Sequence, residues 1–502
     1  MAELIAVKRK RIRRPNKNLP SLTIGQTDEL DVQTSAYEHT DALDVIEELP
    51  KSVRRKPKQL WPIHKIYLLL SLIIGLIFSL ALPVFQEQDG QYHFETSASL
   101  AGLPVNLSNI ESIKSYHGLK EQARSHQVGG YFAQYYTQKV ELLPLKEIPR
   151  IPNSAAFNGF NYDLIGHLIP AIGVRIGYHI YPSVGVMTLA ARLLSVSLTS
   201  FAMYAIIKWV KRYKVLFAAV MLSPVVMASA ASLTYDTLNL LLIALLAAYC
   251  INLLVAPTVS FKDELRTSGI FSLIAIFSLK TNNVPFLIIP FLILGHQKLQ
   301  DYYQNSSDGE RHQERIEKRV LIGSGIALLV ALVIWCYRNI DMSGAIYHLY
   351  ETFFARRNIE IQDEITRVFS QTNSYTNAMP VWMSILWVIV IAFALFSESP
   401  FFNARFIARA TGGVIIFSVL AIYLKMMENF SSSTIFTKIT GVQGRYFTPI
   451  VFLLPIVAGN KDRKLYVTPQ STIIHLMGVA VVLTNSVFLI NTLSQMYTTV
   501  KI

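Results

Sequence analysis

A chain of 502 residues that is 52% hydrophobic and 16% charged falls well below the roughly 25% charge usual in soluble domains. Its apolar residues also come in blocks. Residues 66–85, IYLLLSLIIGLIFSLALPVF, are long enough at about 1.5 Å per helical residue to cross roughly 30 Å of hydrocarbon, which excludes a soluble globular protein. The formal charge of +13 raises nucleic acid as a partner, but Lys and Arg collect at the ends of apolar blocks. That is the pattern of topogenic charge facing the cytoplasm, and nucleic acid drops out as a partner.

In chain order, residues 1–62 are polar, with basic clusters at 8–14 and 51–58 around Asp41, Asp44, Glu47 and Glu48. Without a periodic apolar face they are expected to form a disordered cytoplasmic tail whose basic ends lie near anionic lipid. The first apolar block follows this long charged segment and so reads as a retained first span rather than a cleaved signal. Residues 63–502 are expected to form the membrane domain. The mixed segment 86–183 is its long first external loop, and the stretch 162–181, carrying Asp163, His167, Arg175 and His179, is an interfacial helix lying on the membrane. Further apolar blocks cover 184–210, 215–231, 238–255, 270–279, 284–294, 320–337, 380–396, 411–424, 446–458 and 473–493. The sequence therefore predicts an all-α polytopic membrane protein of about eleven spans, within a range of about ten to thirteen. Cys250 and Cys336 both lie in apolar runs, supporting neither a disulfide framework nor a thiolate metal site.

Topology follows from charge. With the tail inside and 162–181 not counted as a span, five basic clusters all reach the cytoplasm. They are Lys208 with Lys211, Arg212 and Lys214; Lys262 with Arg266; Arg311 with Arg315, Lys318 and Arg319; Arg405 with Arg409; and Lys461 with Arg463 and Lys464. The opposite side then collects the loop 86–183, the turn at Asp236, the turn 280–283 and the loops 338–378 and 426–445.

That side holds the candidate chemistry. Asp89 and His93 are four apart, so a helix would place both on one face, able to deprotonate a hydroxyl or share a divalent metal such as Mg or Mn; a solvated loop acid is the plainer reading. Asp236 joins two apolar blocks with almost no linker and needs a cavity, a partner or a helix-capping role. Arg192 lies about 12 Å into its span, where an anionic ligand or a buried acid would compensate it. In Gly441-Val-Gln443-Gly444-Arg445-Tyr446-Phe-Thr-Pro449, two glycines let backbone amides approach a ligand and Arg445 can grip a phosphate with two prongs. Lys280 is a further cation that can reach the same anion or snorkel. No Walker A, HExxH or CxxC pattern occurs.

The order of these elements is itself informative. Asp89-x-x-x-His93-Phe94 is followed by Asn161-Tyr162, Arg192, Ser223-Pro224, Ser232-x-x-x-Asp236, Lys280 before a proline-containing apolar run, and Gln443-Gly-Arg-Tyr-Phe-x-Pro449. Over residues 64–460 this resembles the bacterial membrane proteins of domain-of-unknown-function family 2142, grouped with the GT-C type integral-membrane glycosyltransferases. The family usually has Asp-Glu in the first motif, where this chain has Asp89-Gly90. The resemblance implies a GT-C helical bundle in the bacterial plasma membrane that takes a sugar from a polyprenyl-phosphate carrier and passes it to a glycan or wall-polymer acceptor outside the cell. Asp89 would be the general base or a metal ligand, and Asp236 would orient the acceptor or support the base. Arg445, with Lys280 and Arg192, would hold the phosphate, and His93, Gln443 and Tyr446 complete the substrate-binding set. A lipid-linked sugar flippase or a non-catalytic scaffold for envelope polysaccharide assembly are the competing classes.

Overall fold

The computed structural model describes residues 62–85, 87, 89–107, 132–143, 162–256, 260–303, 309–339, 347, 348, 350, 351, 380–430, 442, 444–461 and 470–500. The polar tail 1–61, Gln443 and most of the loop 338–378 lie outside these residues. Among the described residues, apart from one two-stranded ladder, β1 (Val105–Asn106) against β2 (Glu141–Leu142), the regular elements are helical.

Among the described residues, five helices are long and apolar enough to cross a membrane: α1 (Ile63–Ala81), α4 (Val184–Trp209), α7 (Asp236–Val255), Arg405–Met427 within α12 (Arg405–Phe430), and Ser471–Ser494 within α14 (Gln470–Val500). This is a multi-pass membrane protein, associated with the lipid bilayer through these helices. The expected eleven spans are not reached by helices that qualify singly, and the reason is visible in the apolar block 215–231. It folds as two short helices, α5 (Lys214–Leu222) and α6 (Pro224–Ala230), broken where Pro224 lacks an N–H to continue the ladder. Every residue from Val215 to Leu222 is at most 3% exposed, so the block is bundle core on all sides. The carbonyl freed at Leu222 is satisfied by the Asn485 amide at 3.0 Å, as a low-dielectric interior requires. Likewise, the blocks near 270–294 form α8 (Phe261–Ala275), a 3-10 turn Thr281–Ile288, and α9 (Ile289–Tyr303). α10 (Gly309–Asn339) and the shorter α11 (Val381–Phe396) follow.

α1 and α4 run antiparallel at close range. His64 meets Tyr204 with ring centroids 5.3 Å apart at one end. Gly75 sits under Val196, where any Cβ would collide, and Arg192 meets the Leu82 carbonyl at the other end. Beyond α1, the chain makes α2 (Gly90–Leu100), which packs on α3 (Tyr162–Ile180). α3 returns into α4 through a turn capped by Ser183, whose Oγ accepts from the Val186 N–H. Gly173 and Gly177 let the α3 backbone rest on Ala191 and Met187 of α4. The opposite face exposes Leu168, Ile172, Ile176 and Ile180, four apart along the helix, an amphipathic pattern suited to a bilayer surface. A second small core, with Val84, Phe94, Leu103, Tyr135, Val174 and Met187, ties α2, α3, the strands and the start of α4 together at this end of the bundle.

Candidate functional site

Five separate chain segments bring polar side chains to this same end. The first is the turn into α2. Phe85 and Asp89 both have left-handed backbone angles (φ 61° and 57°), and the Gly90 N–H donates to the Glu87 carbonyl at 3.0 Å. A Cβ on residue 90 would lie 2.8 Å from Phe85 Cα and 3.1 Å from Glu87 Cγ, so the turn closes only around glycine. That is the physical reason for Gly90, and it bears on the second acid that the first motif lacks. Although the loop does fold back, the Glu87 carboxylate goes to Arg192 at 3.0 Å.

Asp236 opens α7, and no side-chain capping bond is made at that N-terminus. Its carboxylate instead forms ion pairs with Lys280 Nζ and with Arg445 Nη1, the latter at 3.0 Å. The other guanidinium nitrogen of Arg445, Nη2, lies 3.7 Å from Asp89, whose side chain is 50% exposed. One arginine thus bridges a buried acid and a half-exposed one. Lys280 is 7% exposed, held between the rings of Tyr235 and Tyr446, each centroid 4.7 Å from Nζ. Burial pulls its pKa below the usual lysine range, opposed by Asp236. Asn239, one turn along α7 from Asp236, fixes the lysine's turn by accepting from the Lys280 N–H and from the Asn283 amide, both at 3.1 Å. The Ser418 hydroxyl of α12 donates to the Asn282 carbonyl.

Behind this charged layer lies a chain of buried groups that the sequence marked only in part. His93 Nδ1 is 2.8 Å from His167 Nε2. His167 Nδ1 is 2.7 Å from the Asp163 carbonyl and 3.0 Å from its carboxylate, and the Tyr92 hydroxyl donates to the other Asp163 oxygen at 2.5 Å. Tyr235 joins the two layers, its ring centroid 5.3 Å from that of His93, 5.6 Å from His167 and 5.3 Å from Tyr162. Asp163 and His167 stand four apart on a stretch read only as an interfacial helix, a spacing that places both on one helix face. Tyr92 and Tyr235 had no such signal.

Of the residues singled out from sequence, Asp89, Asp236, Lys280, Arg445 and Tyr446 meet in one network, and His93 abuts it through Tyr235. Arg192 stands apart. It is 1% exposed and donates to the Leu82 and Pro83 carbonyls at 2.6 and 2.8 Å besides pairing with Glu87, so it ties down the end of α1 and the loop beyond. Among the described residues no three His, Cys, Asp or Glu side chains converge to hold a metal ion. Asp236 already has two cationic partners, and His93 turns Nδ1 to His167, so the donor set does not fit a Mg or Mn cage.

A small cavity of about 20 Å³, room for a water or two, opens beside Asp236 and Arg445. Ser229 and Thr237 line it near the charges, while Val225, Val226 and Pro449 form an apolar wall.

Residues 72–454 match the family described as predicted membrane protein (DUF2142). The chain belongs to that family. The match in DUF2142 runs from α1 to the start of α13 (Leu454–Ala458) and contains every residue of the network. No curated protein and no solved structure matches the chain.

Proposed function

We propose that this protein is a GT-C type glycosyltransferase that moves a sugar from a polyprenyl-phosphate carrier to a hydroxyl of a cell-surface glycan or wall polymer. The observation that carries the reading is the gathering of Lys280 and Arg445, two cations bound to one carboxylate, next to the half-exposed Asp89 at one end of the bundle. Paired cations of this kind, at the end of a membrane bundle, suit the phosphate of a lipid carrier. The basic clusters of the intervening loops support an outward orientation for this end. The shorter apolar segments would then complete the passes, eleven in all, in a bacterial plasma membrane with the N-terminus in the cytoplasm.

In this reading the acceptor hydroxyl attacks the anomeric carbon as the bond to the phosphate oxygen breaks. Arg445 and Lys280 stabilise the charge that builds on the departing polyprenyl phosphate. Asp89, half-exposed beside Arg445, accepts a hydrogen bond from the hydroxyl and assists its deprotonation. Asp236 keeps both cations in place. Gathering of the charges at one end of the bundle, rather than along a path through its middle, favours an interfacial enzyme over a transporter.

The test is reconstitution in liposomes with a polyprenyl-phosphate sugar and a glycan acceptor, with products read by mass spectrometry. A glycosidic product that disappears in Arg445→Gln supports the reading. Movement of the lipid-linked sugar across the bilayer without bond formation supports a flippase instead, and neither activity leaves a scaffold.

A further inference from the structure

The opposite end of the bundle, where α1 begins, α4 ends and α5 starts, gathers positive charge with no acid to balance it. His64, in the first turn of α1, rests its ring against Tyr204 of α4 with centroids 5.3 Å apart. The charges that act on it are those of Lys214, Lys208 and Lys65. Three ammonium groups, one from each of three helices, thus act on a single imidazole. Lys214 donates from Nζ to the Lys208 carbonyl at 3.0 Å, closing the last turn of α4, while Lys65 and Lys208 stand exposed. Arg212 has Glu398 at 3.8 Å, but among the described residues no ion pair joins Lys65, Lys208 or Lys214 to a carboxylate. In bulk water salt would screen such a cluster; where hydrocarbon begins, it calls for an anion.

Hydrocarbon does begin here. Counted at 3.6 residues per turn from the Gly75–Val196 contact that sets the seam, Lys65, Leu72 and Leu76 of α1 and Lys208, Phe201 and Tyr204 of α4 fall on the same outer flank. Leu76 and Phe201 are about half exposed, and Leu72 and Tyr204 partly so. The seam is therefore a shallow apolar groove with cations at its foot. Trp209, also about half exposed and stacked on Tyr249, belongs to the aromatic belt that collects at a bilayer surface. From Lys65 to Leu76 the helix rises about 16 Å, half the roughly 30 Å of hydrocarbon and so the reach of one acyl chain in its own leaflet.

We propose that this groove binds one anionic phospholipid of the leaflet that the basic loops face. Its phosphodiester sits among Lys65, Lys208 and Lys214, and an acyl chain lies along the seam between α1 and α4. The phosphodiester accepts from the ammonium groups and offsets their mutual repulsion, whereas a zwitterionic head group brings its own cation to a place already positive. A free phosphate would meet the same lysines but make no use of the groove. The bound lipid staples α1 to α4 and α5 at the end away from the proposed transfer site, so the inference is independent of the reaction performed there.

Native mass spectrometry of the full-length protein in detergent micelles, with phosphatidylglycerol or phosphatidylcholine titrated in, reads the affinity for the first lipid bound. At about fivefold per lysine, the wild type should favour phosphatidylglycerol by about 10²-fold. Lys65→Gln, Lys208→Gln and Lys214→Gln together should abolish that preference. A control carrying Lys262→Gln, Arg266→Gln and Lys318→Gln loses the same charge from other basic loops and should keep the preference within about twofold. Equal affinity of the wild type for the two lipids, or an equal loss in the control, overturns the site. So does displacement of the lipid by inorganic phosphate at a matching concentration, which would show recognition of phosphate without its chain.

Discussion

Asp89→Asn separates two roles that are usually confounded, and the structure sets the sign of each effect. Asp89 is 50% exposed at its side chain and sits 3.7 Å from Arg445. An ion pair so open to water contributes roughly 0–1 kcal/mol, so the variant should melt within a few degrees of the wild type. The same pair competes with an incoming phosphate for Arg445 Nη2. Removing it should therefore tighten binding of polyprenyl phosphate, by up to about fivefold for about 1 kcal/mol. Turnover should fall by about 10²–10⁴-fold, the usual worth of a carboxylate that assists proton removal. Isothermal titration or fluorescence with polyprenyl phosphate in detergent micelles gives the affinity, and product formation in liposomes gives kcat. A tenfold loss of phosphate affinity in Asp89→Asn would refute the argument, because Asp89 would then be helping to hold the donor, for instance through a metal.

Asp236→Asn leaves Lys280 and Arg445 buried without their shared counter-ion, and thermal melts should show a loss of about 3–5 kcal/mol. Gly90→Glu, which installs the second acid of the first motif, drives a Cβ into the Phe85 backbone and should cost about 1–3 kcal/mol without raising activity. Because the folded protein holds His93 below its ordinary value near 6.5, the unfolded chain binds a proton that the folded state refuses. Stability should therefore fall as pH drops from about 7 through 6.5, and His93→Gln should flatten that slope in pH-dependent melts. A cysteine introduced at the half-exposed position 89 should react with a membrane-impermeant reagent added outside intact cells. Labelling only after lysis would invert the topology.

The membrane class was legible because length and hydropathy alone decide whether a segment can replace water with lipid. Which apolar blocks form a single long helix was not, since hydropathy cannot tell a face against lipid from a face against protein. Residues 215–231 are apolar throughout yet form a broken core helix. Asp89, Asp236, Lys280 and Arg445 stood out because each interrupts or abuts an apolar run, where an unpaired charge is expensive. Their partners were invisible, because pairing depends on how five distant segments meet. Arg192 shows the limit most plainly. Its depth demanded a counter-charge, and a nearby loop acid, Glu87, supplies it, so depth alone does not mark a substrate contact.

Charge counting links the turn at Gly90 to the reaction proposed for the site. Two cations, Lys280 and Arg445, face two carboxylates, Asp236 and Asp89, so the resting network is close to neutral. An anionic head group entering it must displace a carboxylate or leave excess negative charge in a poorly solvated place. Asp236 is enclosed by both cations and cannot yield without stranding them. Glu87 is withdrawn onto Arg192, and the turn admits no side chain at position 90. Asp89 is therefore the acid able to give way, and its exposure makes the exchange inexpensive. On this reading donor binding and release of the Asp89 carboxylate are one event, so the group that assists the acceptor becomes free only once a donor is in place.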